Sequence, residues 1–456
     1  MGILTISNFS SKILIFLLVP LYTSVLTTTE YGSYDLSVST ATLFYPILTC
    51  NIVDAVMRFL MDKESDNKKI ASIGMKFILI SLILFGAGMF FLYATGIWPD
   101  IHGLEGFIFL YYTSYVINQF LIQFAKGLEK IKEMGISGVV STLVTVSANI
   151  LFLIVFKWGL TGFFIANILA QGMSAIYLGL KIKIIDYIDN LHTDNLLEKE
   201  MLAYSIPLIA STIGWWINST ADKYVVAFMI GVSANGLLSV AYKIPQILNT
   251  IQGIFIQAWQ ISAIKEYGEK DTAVFYGNTF AIINLMMCAC CSWLIVLTRP
   301  ISYLLFAKDF YVAWKYVPFL LISSIFNCAS GLLGPILSAQ KNSKAMMWSA
   351  LIGASVNIVM NIVLVYFCGI QGATIATVIC SYVIYALRKK AIGKAILIDK
   401  YWSVLLTWVL LCFQAFVASY VSNYYLEILI MLILLVVNIQ TIKKVLLKGK
   451  NLLKKK

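Results

Sequence analysis

The chain has 456 residues, of which 60% are hydrophobic and only 12% are charged. A soluble domain is normally about 45–50% apolar and about 25% charged, so a soluble enzyme, a nucleic-acid-binding protein and a disordered chain are poor interpretations. The composition is typical of a polytopic membrane protein, and the formal net charge of +12 is then expected mainly in its cytoplasmic loops.

The hydrophobic runs predict an all-α membrane protein with about fourteen transmembrane helices, because one crossing needs about 20 mostly apolar residues. In chain order the runs cover residues 3–27, 33–61, 70–95, 104–127, 134–157, 159–184, 201–228, 233–260, 274–297, 313–339, 344–367, 369–387, 401–421 and 423–446.

Lysine and arginine are distributed unevenly between alternate loops. One set of loops, together with the C-terminal tail, holds 25 basic residues, whereas the opposite set holds four, Lys157, Arg299, Lys308 and Lys315. Because cytoplasmic loops carry the excess of basic residues, both termini are predicted to be cytoplasmic, which requires an even number of helices.

A six-helix repeat with an offset of about 204–212 residues divides the chain. Two lobes of six helices in the same orientation should be related by a pseudo-two-fold axis along the membrane normal, an architecture of transporters. The matched segments are residues 30–37 with 234–240, 132–134 with 344–346, and 159–162 with 369–372. The predicted parts are an N-terminal lobe (1–184), a cytoplasmic linker (185–200), a C-terminal lobe (201–390), appended helices 13–14 (391–446) and a basic cytoplasmic tail (447–456).

Prolines occupy corresponding helices of the two lobes. Pro20 and Pro207 lie in the first helix of each lobe, and Pro46 and Pro245 lie in the second. A proline inside a helix removes one backbone hydrogen bond and kinks the helix, so these helices are expected to be bent.

Ionisable residues inside the apolar runs are the main candidates for function, since charge in the membrane is costly and usually lines a cavity. The alternative for each basic side chain is snorkelling to the interface. Asp54 and Arg58 are four residues apart and can pair on one helix face. The excess of basic over acidic residues favours an anionic headgroup as ligand, with phosphate as a good match. The candidates for substrate binding are Lys12, Arg58, Lys76, Lys223 and Lys243, and the candidates for ion coupling are Asp54 and Asp222.

Aromatic residues of helices 7 and 8 offer a second kind of contact. Trp215, Trp216 and Trp259 could stack on sugar rings, or they could belong to the interfacial belt and the helix packing. Trp259 is added to the substrate-binding candidates.

Several kinds of chemistry have no signature in the sequence. There is no P-loop for ATP hydrolysis, and His102 and His192 lie in separate loops on opposite sides, which argues against a metal site. The longest external loop, about 298–312, has no pair of carboxylates. We therefore expect neither an enzyme nor a bound cofactor.

Several segments together form a recognisable pattern. In the first two helices they are Pro20-Leu21-Tyr22-Thr23-Ser24-Val25-Leu26, Glu30-Tyr31-Gly32-Ser33-Tyr34 and Ala55-Val56-Met57-Arg58-Phe59. In helices 11 and 12 they are Asn357, Asn361, Gly369, Gly372, Ala373 and Ala376. With these segments the sequence resembles the Wzx-type oligosaccharide flippases of the multidrug/oligosaccharidyl-lipid/polysaccharide exporter superfamily. Cys50-Asn51-Ile52 stands where that family often carries a glycine.

The resemblance implies export of an undecaprenyl-pyrophosphate-linked oligosaccharide across the bacterial cytoplasmic membrane, from the inner to the outer leaflet, by alternating access through a cationic cavity. It also implies coupling to a proton or sodium gradient, with Asp54 or Asp222 as the carboxylate, and a polysaccharide polymerase as a possible partner besides the membrane lipid. The alternatives are a drug/cation antiporter of the same superfamily, which should prefer an acidic cavity, and a polysaccharide polymerase.

Overall fold

The computed structural model describes residues 14, 16–62, 66–187, 194–398 and 401–439, and within these residues the chain forms helices and no strand. It divides into two compact units, Met1–Thr220 and Ala221–Lys456, here called unit 1 and unit 2. The predicted all-α class is confirmed, and all of the fourteen predicted runs contain at least one helix.

Unit 1 is built from consecutive helices joined by short turns, including the first part of α8. Its helices are α1 (Val19–Val25), α2 (Thr28–Leu48), α3 (Ile52–Leu60), α4 (Asn67–Thr95), α5 (Glu105–Gly127), α6 (Ile131–Asn149, continued by a π-helical turn Ile150–Val155), α7 (Gly159–Ile182) and α8 (Asn195–Met229), with 3₁₀ segments Pro99–Ile101 and Ile184–Tyr187.

Unit 2 takes the remainder of α8 and the helices that follow it. These are α9 (Val232–Ala241), α10 (Pro245–Lys265), α11 (Thr272–Val296), α12 (Thr298–Leu305), α13 (Val317–Ala339), α14 (Ser343–Cys368), α15 (Ile370–Ile392), α16 (Tyr401–Phe416, continued by a π-helical turn Val417–Val421) and α17 (Tyr424–Val437), with 3₁₀ segments Lys308–Lys315 and Gly393–Ala395.

The protein is a multi-pass membrane protein. Within the described residues, eight helices are long and apolar enough to cross a bilayer, or nine if the bent pair α2 and α3 counts as one span. Large apolar side chains such as Phe90, Tyr366 and Phe367 are more than 70% exposed on these helices, as is expected where lipid rather than water is the solvent. Other predicted spans, α5 among them, carry more polar residues, for example Asn118 and Gln123.

The helix order confirms the internal repeat. Five helix starts of unit 1 recur in unit 2 at offsets between 204 and 212 residues. The offset grows between α4 and α5, where the second copy carries α12 and the 3₁₀ segment Lys308–Lys315 in addition. The matched starts are Thr28 with Val232, Asn67 with Thr272, Glu105 with Val317, Ile131 with Ser343, and Gly159 with Ile370.

Matched glycines allow the same tight helix hairpin in both copies. Gly159 and Gly369 have left-handed φ angles of +55° and +60°, which cost glycine nothing. Three residues later, a Cβ atom on Gly162 would lie 3.2 Å from the carbonyl oxygen of Phe152, and one on Gly372 would lie 2.0 Å from that of Leu364. The repeated glycine pair is therefore required by the close approach of two successive helices.

The segment with the strongest resemblance in unit 1 caps a helix and packs aromatic rings. Thr27 and Glu30 form a reciprocal capping box at the start of α2, which satisfies two free backbone donors. Tyr31 stacks on Tyr22 with ring centroids 5.0 Å apart, and Tyr34 contacts Phe163 at 4.4 Å. These motif residues stabilise the fold.

The boundary between the compact units falls inside a continuous helix. Thr220 belongs to unit 1 and Ala221 to unit 2, and both lie in α8, which runs unbroken from Asn195 to Met229 although it contains Pro207. The predicted linker 185–200 overlaps the start of this helix, and its residues 188–193 lie outside the described part of the chain.

The appended helices α16 and α17 are an integral part of unit 2. Trp408 Nε1 donates to Asn284 Oδ1 at 3.2 Å, and Ser292 Oγ donates to Gln414 Oε1 at 2.8 Å. All four side chains are buried, so these hydrogen bonds fix α16 against α11.

Candidate functional site

Each unit contains an interrupted helix with a carboxylate beside the interruption. Irregular backbone at membrane depth is tolerated only where it is buried in protein or lines a cavity, and interrupted helices often mark binding sites in transporters. The interruptions lie at residues 49–51, between α2 and α3, and at residues 242–244, between α9 and α10.

The unit 1 interruption turns the chain by 60°. It follows Pro46, whose carbonyl oxygen accepts from the Asn51 N–H at 2.8 Å. Cys50 and Asn51 both have left-handed φ angles, +50° and +49°, a conformation that glycine and asparagine adopt most easily. Cys50 and Asn51, which stand where the resembled family often carries a glycine, are thus the residues that form the bend.

Asp54, one of the two ion-coupling candidates, lies in the first turn of α3. Its two carboxylate oxygens accept hydrogen bonds from Asn51 Nδ2 and Gln123 Nε2, each at 2.9 Å. The helix N-terminus adds a favourable dipole. The expected pair with Arg58 is not formed, because Arg58 instead contacts Asp62 one turn further on, at 2.5 Å.

Arg58 and Asp62 are both about half exposed. An ion pair at such exposure contributes little to stability. Nearby, the ring of Phe59 contacts that of Tyr204, with centroids 6.2 Å apart, so an aromatic contact joins the end of α3 to α8.

Lys76, a substrate-binding candidate, holds α8 against α4. Its Nζ donates to both carboxylate oxygens of Glu198, at 3.0 and 2.9 Å. Two turns earlier on α4, Lys69 Nζ lies 3.1 Å from Asp194. The hydrogen bond from Lys69, with those from the backbone N–H groups of Leu197 and Leu196, lowers the pKa of the Asp194 carboxyl below its ordinary value.

Asp222, the second ion-coupling candidate, is buried in unit 2, with 3% of its surface exposed. Its Oδ2 accepts a short hydrogen bond from the hydroxyl of Tyr242, the first residue of the interruption, and its Oδ1 accepts from the Lys223 N–H at 2.9 Å. The Lys223 ammonium lies 6.0 Å from the centroid of the Tyr242 ring. Half-buried Lys243 follows in the interruption, and Pro245 opens α10.

Polar side chains extend from this cluster into α15 and α14. The Thr377 hydroxyl is a further partner of the Tyr242 hydroxyl. Cys380 Sγ donates to the Gly353 carbonyl oxygen at 3.2 Å, and Asn361 Nδ2 donates to Asn357 Oδ1 at 3.1 Å. Unit 2 therefore buries a carboxylate among hydroxyl and amide groups.

Within the described residues, no group of three or more His, Cys, Asp or Glu side chains could hold a metal ion. Asp222 offers carboxylate oxygens, and the hydroxyl groups of Tyr242 and Thr377 lie beside it; oxygen atoms suit a proton or a hard cation such as sodium.

Trp259 packs in the interior of unit 2. It is 4% exposed, its Nε1 donates to the Leu332 carbonyl oxygen at 2.8 Å, and its ring meets that of Tyr276 edge-on at 5.6 Å. These contacts support the packing alternative, whereas a sugar contact by Trp259 stays a prediction.

The structure separates the predicted site residues into two groups. Asp54, Arg58 and Lys76 belong to unit 1, and each contacts neighbours of its own unit. Asp222, Lys223 and Lys243 lie close to one interruption in unit 2. Lys12 lies outside the described residues.

Sequence reasoning missed residues whose importance depends on distant contacts. Gln123 and Tyr242 donate to the two candidate carboxylates, and for Tyr242 the sequence had indicated only an aromatic surface for a sugar ring. Arg388, counted among the cytoplasmic loop residues, is buried on α15, with Nε 3.2 Å from Ser349 Oγ and Nη1 2.9 Å from the Ser330 carbonyl oxygen. In the local sequence, the position of Tyr242 three residues before Pro245, where a helix was expected to bend, was the signal that could have indicated its role.

Residues 1–260 match the model of the family described as "Polysaccharide biosynthesis protein". No curated protein matches the chain.

Among solved structures, the chain is similar to the lipid II flippase MurJ in an inward closed conformation, with 17% identity over 98% of this chain and 100% of that one and a TM-score of 0.71. It is also similar to an inward-facing multidrug resistance MATE family transporter of the MOP superfamily, at 11% identity over 86% and 95% of the chains with a TM-score of 0.67. A MOP superfamily transporter from Pyrococcus furiosus matches at 13% identity over 86% and 96% of the chains with a TM-score of 0.51.

At these identities the solved structures establish the fold, that of MOP superfamily transporters. The family model covers more than half of the chain. The chain belongs to the polysaccharide biosynthesis protein family.

Proposed function

We propose that the protein is a flippase that moves an undecaprenyl-pyrophosphate-linked oligosaccharide repeat unit from the inner to the outer leaflet of the bacterial cytoplasmic membrane by alternating access. One observation carries the proposal: a member of the polysaccharide biosynthesis protein family has the fold of a lipid II flippase along 98% of its length. A lipid-linked saccharide is the substrate that joins these two facts. In this role the protein performs no covalent chemistry and needs no bound cofactor, and both termini are cytoplasmic.

The anionic pyrophosphate is the part of this substrate that basic residues would bind. Lys223 and Lys243 are the best placed of the candidates. Lys223 lies 6.0 Å from the Tyr242 ring, Lys243 follows Tyr242 in the chain, and both are only partly buried. Arg58 and Lys76 contact Asp62 and Glu198, so each would exchange a carboxylate for phosphate during the cycle. Lys12 is the fifth basic residue that we propose to bind the pyrophosphate.

Asp222 is the favoured coupling carboxylate. It is buried, its neighbours are hydroxyl and amide groups, and it lies next to Lys223. Uptake of a proton or sodium ion by a buried carboxylate removes a costly charge from the membrane interior. Asp54 is the second choice, because it is only half-buried.

A drug/cation antiporter is the second candidate function, and the fold similarity to a multidrug resistance MATE transporter favours it. The basic residues disfavour it, since a cationic drug should be drawn to an acidic cavity. A polysaccharide polymerase is a weaker candidate and would act on the unit after export.

The location of unexported substrate distinguishes these functions. In cells that lack the gene, lipid-linked single repeat units should accumulate on the cytoplasmic leaflet, where a membrane-impermeant glycosidase or lectin added outside does not reach them. Accumulation on the outer face would indicate a polymerase, and normal polysaccharide with increased drug sensitivity would indicate the antiporter.

The site assignment has its own test. The triple variant Lys12→Gln, Arg58→Gln, Lys243→Gln, expressed at the normal level, should fail to restore surface polysaccharide. The matched control is Lys265→Gln, an exposed lysine at the end of α10, which should restore it. Normal polysaccharide from the triple variant would refute the assignment of these residues.

A further inference from the structure

Tyr242 contacts both the candidate coupling carboxylate and a candidate substrate-binding cation. Its hydroxyl donates to Asp222 Oδ2, and its ring lies 6.0 Å below the Lys223 ammonium. Asp222 and Lys223 are neighbours on α8, whereas Tyr242 lies in the interruption between α9 and α10. The Tyr242 side chain therefore contacts both the carboxylate proposed to bind the coupling cation and an ammonium group proposed to bind the substrate.

The hydrogen bond from Tyr242 competes with a cation for the carboxylate. A hydroxyl that donates to an ionised carboxylate makes a strong, charge-assisted hydrogen bond and favours the charged, unoccupied form. A proton or sodium ion that binds Asp222 weakens or displaces this bond. Occupancy at Asp222 is thus expected to release the Tyr242 hydroxyl.

Release of the Tyr242 hydroxyl would change the interaction of the Tyr242 ring with the Lys223 ammonium. A ring about 6 Å from an ammonium group is within the range of a cation–π interaction, and this interaction depends on the position of the ring. Tyr242 ends a helix of only ten residues and precedes the proline that opens α10, so movement at this point disturbs few helical hydrogen bonds.

We propose that Tyr242 is a positioning residue that links occupancy of Asp222 by the coupling cation to the position and availability of the Lys223 ammonium. The proposal rests on the proposed function in one respect, that Asp222 is the coupling carboxylate. The titratable or charged groups around this contact include Lys223 on α8, Lys243 in the interruption and Cys380 on α15, and the Thr377 hydroxyl lies beside the tyrosine hydroxyl.

The linkage predicts an unusual phenotype for Tyr242→Phe, which keeps the ring and removes the competing donor. Apparent cation affinity should rise about tenfold, the equivalent of one charge-assisted hydrogen bond, while export activity falls. A residue with a merely structural role would lower both quantities or neither.

The cation affinity can be measured on the purified full-length chain without its substrate. The thermal unfolding midpoint is recorded against sodium chloride, balanced with choline chloride at fixed pH, and against pH at fixed sodium. Inorganic pyrophosphate then serves as a probe for the headgroup. In the wild type, pyrophosphate should shift the cation midpoint, and Tyr242→Leu, which lacks the ring as well, should abolish that shift.

The matched control is Tyr276→Phe, because Tyr276 is another buried tyrosine of unit 2 whose hydroxyl donates to a backbone carbonyl oxygen, that of Ala263. It should leave the cation midpoint unchanged. A cation midpoint in Tyr242→Phe equal to the wild-type value, or one that indicates weaker binding, would overturn the inference, and so would a pyrophosphate shift that persists in Tyr242→Leu. If the wild type flips no lipid-linked saccharide in vesicles, the proposed function fails, whatever these midpoints show.

Discussion

Lys76 and Glu198 form a two-pronged ion pair between α4 and α8, with Nζ at 3.0 and 2.9 Å from the two carboxylate oxygens. The Glu198 side chain is only 15% exposed and that of Lys76 37%. Both residues lie near the N-terminal ends of their helices, so the pair anchors the start of the helix that later carries Asp222.

Breaking this pair should destabilise unit 1. Lys76→Gln leaves the Glu198 carboxylate partly buried without its partner, and we expect a loss of about 1–2 kcal/mol, measured as a lower thermal unfolding midpoint. The exchanged variant Lys76→Glu with Glu198→Lys should recover most of the loss. If Lys76→Gln leaves the midpoint unchanged and abolishes export, Lys76 acts on the substrate rather than on the fold.

The first turn of α8 should lose protection at low pH. Because the pKa of Asp194 is lowered in the folded chain, its pairing with Lys69 stabilises the fold fully above the ordinary aspartate pKa of about 3.9. This contribution is lost as the pH falls further, through the lowered value.

Amide hydrogen exchange at residues 195–200 measures this effect. Exchange there, corrected for the intrinsic effect of pH, should accelerate only below about pH 4 in the wild type. In Asp194→Asn it should already be fast at neutral pH. Equal exchange of the two proteins at neutral pH would show that Asp194 does not hold the turn.

Gly372→Ala should prevent the tight hairpin of α14 and α15. The added Cβ would lie 2.0 Å from the Leu364 carbonyl oxygen, and backbone must shift to relieve this overlap, at an expected cost above about 3 kcal/mol. The yield of monodisperse protein in size-exclusion chromatography should fall sharply.

Gly172→Ala on α7 is the control, since among the described residues no atom lies within 4 Å of its added Cβ. It should fold normally and gain a few tenths of a kcal/mol from helix propensity. Normal yield of Gly372→Ala would show that the hairpin is wider than the structure has it.

Trp259→Phe should reduce stability and leave substrate choice unchanged. The substitution leaves the buried Leu332 carbonyl oxygen without its donor, at a cost of about 1–3 kcal/mol. Trp215→Phe, at a side chain that is 64% exposed, is the control and should change the midpoint little. An unchanged midpoint for Trp259→Phe together with altered export of the saccharide would instead support its sugar contact.

Much of the fold was predictable because bilayer thickness and turn chemistry act locally. The apolar runs identified the helices, and the repeated glycines, such as Gly162 and Gly372, identified the two copies. The predictions from Pro46 and Pro245 were also informative, since both prolines lie within five residues of an interruption. None of these signals required knowledge of a distant residue.

The partners of the charged residues were not predictable in this way. Helix spacing allowed Arg58 to pair with Asp54 or with Asp62. In the structure Asp54 accepts instead from Gln123 on the distant α5, a contact that spacing along the chain does not indicate. The burial of Arg388 was not predictable either, because it depends on α13 and α14 packing around this side chain. Side-chain contacts between helices are set by the tertiary fold.

Lipid flipping by the purified protein is the most direct test of the central claim. The protein is reconstituted in vesicles with an undecaprenyl-pyrophosphate-linked oligosaccharide in the membrane, and the fraction accessible to an external glycosidase is followed over time. We expect this fraction to rise faster with wild-type protein than in protein-free vesicles. A proton or sodium gradient should change the rate, and Asp222→Asn should remove this dependence on the gradient. Equal rates with and without the wild-type protein, for saccharides that the source cells export, would contradict the central claim.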